Sequence, residues 1–256
     1  MASGGVLLDV HQFIQKMKEE QNGNLSKYKC FSELTSKQLE IDLSKPYIPN
    51  SETKEQRFIH GVIFEYAVHQ AAKHTSKKND PWKTFEKLYS TLEETEKEQY
   101  KTCINEAGRA AWKIFDNNAN SVYGMNERSS TLFEYPIQNK TFPILTKTLE
   151  ADIFEPSSPK IVCEIKYSAM NKDSYEQEYL VHAIVQVLIY SLALQLDPST
   201  LHLQILVVFS KTREVVLYES DIHTNKTLVN LLVNKLNGKK EEFIVDDMFQ
   251  SLKINE

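Results

Sequence analysis

"LEADIFEPSSPKIVCEIKYS", residues 149–168, sets three charged side chains, Asp152, Glu164 and Lys166, among residues patterned as buried β-strand. Burying a charge is costly unless it is paired or holds a metal, so a hairpin carrying three of them calls for a partner. With "EPSSP" as the turn, a midpoint near Ser157 sets Asp152 opposite residue 163, give or take one. Side chains alternate faces along a strand, so Glu164 and Lys166 share one face and Cys163 and Ile165 the other, while Asp152 points away from Ala151 and Ile153. Antiparallel pairing then brings the two carboxylates within a few ångströms of each other, with the lysine one step further along. Carboxylates that close repel unless a cation sits between them, and an oxygen-only site suits a hard divalent ion, Mg²⁺ or Mn²⁺, with a phosphodiester supplying further ligands. The lysine positions or deprotonates an attacking water, or neutralises charge building on the phosphate. A solvated strand face gives the same alternation, and the flanking elements decide between the two.

Around the hairpin the apolar period changes twice. Ahead of it, "EQRFIHGVIFEYAVHQAAKH", "DPWKTFEKLYSTLEE" and "EKEQYKTCINEAGRAAWKIFDNN" carry helical spacing, so the chain is expected to be helical up to residue 120. Ser51, after the prolines of "SKPYIPN", is the expected cap of the first of these, and "LLDVHQFIQKMKEEQ" reads as a helix near the start. Strand patterns then begin with "TLFEYPIQ" and "FPILTKTLEADIF" and continue into "KIVCEIKYS". After the hairpin come one long helix, "SYEQEYLVHAIVQVLIYSLALQL", two strands, "LHLQILVVFS" and "EVVLYESDI", and a closing helix, "NKTLVNLLVNKLN". That order predicts an α/β or α+β fold, a mixed central β-sheet flanked by helices. The expected division is a helical extension over 1–54 and a core over 55–256 with a helical insertion around 74–130.

Composition narrows the function. The 256 residues hold 35 acidic against 30 basic side chains, so no global positive field draws a polyanion or a membrane, and any such partner must be held locally. Cys30, Cys103 and Cys163 are scattered and form no CxxC pair, which argues against a disulfide framework, a zinc site or an iron–sulfur cluster. No run approaches the roughly 18 apolar residues of a membrane span, and "MASGGVLLDV" lacks a secretory pattern. The expected location is intracellular, cytoplasmic or nuclear, with an organelle left open.

The spacing Asp-x(11)-Glu-x-Lys on a hairpin, followed about twenty residues later by Gln186 and Tyr190 in "QVLIY" on a helix, resembles the PD-(D/E)xK nuclease superfamily, in particular its RecB and lambda-exonuclease branch. That branch carries an acid on a helix ahead of the sheet, often after glycine, and "RFIHGVIFE" offers Gly61 and Glu65. Glu65 shares a helical stripe with Arg57 and His69, away from Phe58, Ile59, Val62 and Tyr66. The resemblance spans residues 55–220 and implies a restriction-endonuclease-like core. It implies Asp152, Glu164, the Ile165 carbonyl and Glu65 as metal ligands, Lys166 as the water-activating group, and Gln186 and Tyr190 as support. Tyr175, Tyr179 and His182 join those two on one stripe, and Glu134 stands where relatives often carry an acid.

The activity implied is a metal-dependent nuclease acting at ends or on single strands, on DNA in preference to RNA, of the kind used in repair or recombination. Arg57, Lys73, Lys77, Lys78 and Arg128 are the candidate phosphate contacts, and residues 1–50 and 74–130 are expected to shape the substrate channel. The sequence departs from the branch in having Leu149 and Glu150 where glycine commonly precedes the aspartate, and in lacking the cluster cysteines and a GxxxxGK[ST] phosphate loop. Two rival functions remain open: an RNA endonuclease of the cap-snatching type, with His60 or His69 as a ligand, and a catalytically idle nuclease-like scaffold.

Overall fold

The computed structural model describes residues 34–41, 43, 53–71, 80–114, 132–137, 140–145, 152–155, 160–193 and 201–220. The expected helices near the start and the end of the chain lie outside them. In chain order the elements are β1 (Thr35–Leu39), α1 (Lys54–Ala71), α2 (Trp82–Leu88), α3 (Glu94–Trp112), β2 (Leu132–Ile137), β3 (Lys140–Leu145), β4 (Ile153–Glu155), β5 (Lys160–Ser168), α4 (Lys172–Glu178), α5 (Leu180–Ala193), β6 (Leu201–Phe209) and β7 (Glu214–Glu219). The fold is α+β, a mixed sheet with helices packed on it, as the change of period predicts.

The sheet has five strands in the order β1-β7-β6-β5-β4, and only the β5–β6 pair is parallel. A parallel pair needs a crossover, and α4 and α5 supply it between β5 and β6. In β6 the consecutive residues Leu206, Val207 and Val208 are all buried, the mark of a strand covered on both faces. One face, with Cys163, Ile165, Leu206, Val208, Val215 and Leu217, joins the core cluster that holds α1, α2 and α3. The other meets α4 and α5, where Tyr175 packs edge-on against Phe209 and the Tyr218 hydroxyl donates to Glu176 at 3.0 Å.

Several expectations are corrected. Residues 35–39 form an exposed polar edge strand antiparallel to β7, so the segment ahead of α1 is not wholly helical and adds to the sheet. The cap of α1 is Thr53, not Ser51: the Thr53 hydroxyl accepts from the Gln56 N–H at 3.1 Å while the Gln56 side chain accepts from the Thr53 N–H at 2.9 Å. That reciprocal pair needs Thr and Gln three residues apart, a spacing that Ser51 lacks. Strands β2 and β3 pair with each other as a separate hairpin, outside the five-stranded sheet. The expected long helix breaks at Tyr179 into α4 and α5.

Residues 80–114 do not line the cavity beside Lys166; they pack behind α1, with Trp82, Phe85, Tyr89, Tyr100, Ile104 and Trp112 in the core. Two glycines make that packing possible. A Cβ on Gly61 would stand 3.2 Å from the Tyr167 Cβ, so α1 lies directly on β5. A Cβ on Gly108 would stand 2.6 Å from the Ala67 carbonyl carbon, backbone that cannot swing aside, so α3 lies as closely on α1.

Gly108→Ala gains about 1 kcal/mol of helix propensity, but overpacking against backbone costs about 1–3 kcal/mol, so a net loss of stability is expected. Urea unfolding measures it. A midpoint at or above that of the unaltered protein would mean that the two helices are not in this contact.

Candidate active site

Strands β4 and β5 pair as Ile153 with Cys163, Phe154 with Val162 and Glu155 with Ile161. Carried one residue further, that register sets Asp152 opposite Glu164, within the single residue of latitude that the turn midpoint allows. Asp152 sits just before β4 and is 8% exposed, and Glu164, in the middle of β5, is 5% exposed. The Ile165 N–H donates to Asp152 Oδ2 at 2.7 Å, which ties the aspartate to the strand that bears the glutamate.

Glu164 and Lys166 do share a face, the one turned to α5. The Lys166 ammonium donates to Glu164 Oε1 at 2.6 Å and to Gln186 Oε1 at 3.0 Å, and the Gln186 amide donates to the same Glu164 oxygen at 2.9 Å. These contacts close a ring of three side chains drawn from β5 and α5. Gln186 reaches β5 because the crossover lays α5 across that face. Tyr175, Tyr179 and His182 line the same cavity as Gln186, so the polar stripe faces one way across the helix break. Tyr190 belongs to α5, but its side chain lies outside the described residues.

From α1, His69 Nε2 meets the Asp152 backbone carbonyl at 2.8 Å. A carbonyl only accepts, so this nitrogen carries the proton and the histidine holds the aspartate's backbone in place. His60 has its Nε2 2.9 Å from the Tyr89 hydroxyl and its Nδ1 3.3 Å from the Tyr167 hydroxyl, within a cluster of aromatic rings. It is a core residue with both ring nitrogens engaged.

Charge in this cluster is dense. Burial pushes the Asp152 carboxyl well above the usual carboxylate range, and the charges of Glu164 and Glu65 push the same way, against Lys166 and the Ile165 N–H bond. Glu65, on the partly buried side of α1, therefore lies close enough to contribute to the field at Asp152. The Tyr175 hydroxyl is also raised, first by burial and then by Glu164. The Cys163 thiol, behind the acids, is raised by burial and then by Asp152 and Glu164, which makes it a poor nucleophile.

Buried oxygen donors whose charges oppose one another suit a hard divalent cation in chemistry. Asp152, Glu164 and the Ile165 carbonyl are the groups that would hold it, with Glu65 further out. Among the described residues no three His, Cys, Asp or Glu side chains form a complete ligand group, so such an ion would rely on oxygens of water and phosphate for the rest.

Of the expected phosphate contacts, Arg57 lines the cavity beside Lys166. Lys73, Lys77, Lys78 and Arg128 lie outside the described residues, as does the side chain of Glu134. Phe58, expected on the apolar side of α1, is 73% exposed and lines the same cavity, together with Lys54 and Lys211. The helical stripe groups Phe58 with Ile59, and only the way α1 lies on the sheet reveals that it projects beyond the core.

No family model matches the chain, and no curated protein matches it. Among solved structures the chain is similar to one described as "Crystal structure of SSO0001", with 16% identity over 72% of this chain and 88% of that one. The TM-score of 0.30 is too low for the likeness to carry a conclusion.

A carboxyl whose folded value lies above its unfolded value near 4 favours folding at pH below that unfolded value, and the contribution is lost as pH rises through the folded value. Asp152→Asn keeps an acceptor for the Ile165 N–H and removes the charge. Without divalent metal it is expected to melt a few degrees above the unaltered protein at about pH 8 and to converge with it near pH 4. Thermal melts in EDTA across that range are the check. A lower melting temperature at pH 8, or a gap that does not change with pH, would contradict the repulsion.

Proposed function

We infer that the chain is a Mg²⁺- or Mn²⁺-dependent nuclease that hydrolyses phosphodiester bonds, with DNA as the favoured substrate and a restriction-endonuclease-like core. The observation that carries this reading is the convergence of Asp152, just ahead of β4, with Glu164 and Lys166 of β5 and Gln186 of α5 in one partly buried cluster. A sheet that served only as scaffold would gain nothing from burying two carboxylates beside each other, because each costs solvation and each opposes the other's charge. Functional sites accept that loss of stability.

Asp152 and Glu164 would hold the divalent ion through their carboxylates, and it would supply Lewis-acid polarisation of a phosphoryl oxygen and a more acidic water. Lys166 donates hydrogen bonds to two acceptors in the cluster, so its side-chain nitrogen is fixed in place beside the cavity. There it offsets negative charge building on the phosphate and orients the attacking water. Gln186 holds the ammonium and Glu164 in register, and His69 holds the backbone of Asp152. The engagement of both His60 nitrogens by tyrosines, and of His69 Nε2 by the Asp152 carbonyl, weighs against a histidine-ligated, cap-snatching alternative. The branch the sequence resembles favours action at a terminus.

A panel of linear duplex, single strand, closed circle and RNA, with and without Mg²⁺ or Mn²⁺, is the test. Metal-dependent loss of the linear DNA substrates is expected, with the closed circle spared. Asp152→Asn, Glu164→Gln and Lys166→Ala are each expected to lower the rate at least about 100-fold while the protein stays folded. No turnover of any substrate would sink the reading, and a closed circle cut as fast as linear DNA would make the enzyme an endonuclease.

A further inference from the structure

The cavity of about 860 Å³ that opens beside Lys166 and Gln186 is lined also by Lys54, Arg57 and Lys211 and, among the described residues, by no aspartate or glutamate. In a chain with 35 acidic and 30 basic side chains, that lining is a local reversal of sign. The same cavity holds the two large hydrophobic side chains that stand exposed among the described residues, Phe58 at the start of α1 and Tyr179, 44% exposed, at the α4–α5 corner. Scattered exposed apolar residues are ordinary, but two aromatics from separate elements meeting in one cationic groove are not scattered. Tyr179 is steadied by ring packing on Tyr175 and His182, at 6.3 and 5.9 Å between centroids, so the fold itself limits the freedom that binding would remove.

The matching ligand carries both negative charge and open aromatic faces. A duplex keeps its base faces inside its own stack and offers a groove only phosphates and edges, whereas a single strand presents every base for stacking. We propose that this groove is a track for single-stranded nucleic acid, in which bases stack on Phe58 and Tyr179 and phosphates run along Lys54, Arg57 and Lys211 towards Lys166. The track deepens the nuclease reading and rests on it for its direction, since Lys166 marks the end where chemistry occurs.

The test is fluorescence anisotropy of the whole protein in EDTA, where no cutting occurs, with labelled strands about 20 nucleotides long. The probes are a thymidylate strand, a uridylate strand, an abasic strand of the same length and a blunt hairpin duplex. The thymidylate strand is expected to bind about tenfold or more tightly than the abasic strand and the duplex. Phe58→Ala and Tyr179→Ala are each expected to weaken it on the order of tenfold and to leave the abasic strand unchanged, while Phe58→Trp and Tyr179→Phe retain affinity. Lys54→Ala and Lys211→Ala are expected to weaken every strand and flatten the salt dependence. A uridylate strand bound as well as thymidylate supports the same track and names RNA as a second source of the chemistry. Abasic strand bound as tightly as thymidylate, preference for the duplex, no response to the aromatic variants, or no binding at all would each overturn the proposal. Binding that depends on the aromatics without metal-dependent cutting would leave the track standing and remove the nuclease reading; cutting without such dependence would do the reverse.

Discussion

Glu164 is held inside the protein with one carboxylate oxygen shared by the Lys166 ammonium at 2.6 Å and the Gln186 amide at 2.9 Å, and much of the architecture serves that arrangement. A carboxylate keeps its charge below the surface only if its acceptor positions are met and a cation stands near. The strand that bears it lies inside a five-stranded sheet. The glutamine arrives because β5 and β6 run parallel, which obliges a helical crossover on that face. Asp152 arrives because the antiparallel β4–β5 pairing runs on towards Glu164, and its carboxylate is tied to the Ile165 N–H. From the opposite face, α1 reaches the same hairpin through the flat surface of Gly61 on Tyr167, with His69 on the Asp152 carbonyl.

The hairpin was the most legible part of the chain, since a period of two assigns Glu164 and Lys166 to one face whatever the fold around them. The apolar runs of β6 and β7 and the spacing of α1 to α3 are equally local signals. What escaped depends on partners distant in sequence. The strand "TSKQL" has four exposed residues of five and is a strand only because β7 lies beside it. A helix alone leaves His60 as core, surface or ligand, and what makes it core is Tyr89 and Tyr167, far along the chain, which nothing near position 60 announces. The break at Tyr179 is hidden because its neighbours keep helical spacing on both sides. Phe58 escaped for the opposite reason: its place on the apolar side of a helix wheel says core, yet it stands 73% exposed in the lining of the cavity.

Two environments therefore meet at β5. Towards α1 the strand is packed with aliphatic and aromatic side chains continuous with α2 and α3, which give the rigidity that ordering a buried polar cluster requires. Towards α4 and α5 it carries the charged ring and opens on a cationic cavity. The stability lost to opposed carboxylates on one side is offset by the dense core on the other, a division of labour within a single strand.

The central claim is that the two buried carboxylates are a divalent-cation site. Mn²⁺ binding measured by electron paramagnetic resonance, at near-neutral pH on the whole protein without nucleic acid, addresses it without reference to activity or substrate. The account predicts bound Mn²⁺ that is displaced by excess Mg²⁺, and that is weakened at least about tenfold in both Asp152→Asn and Glu164→Gln. Mn²⁺ bound equally by the unaltered protein and both variants, or not bound by any of them, would contradict it.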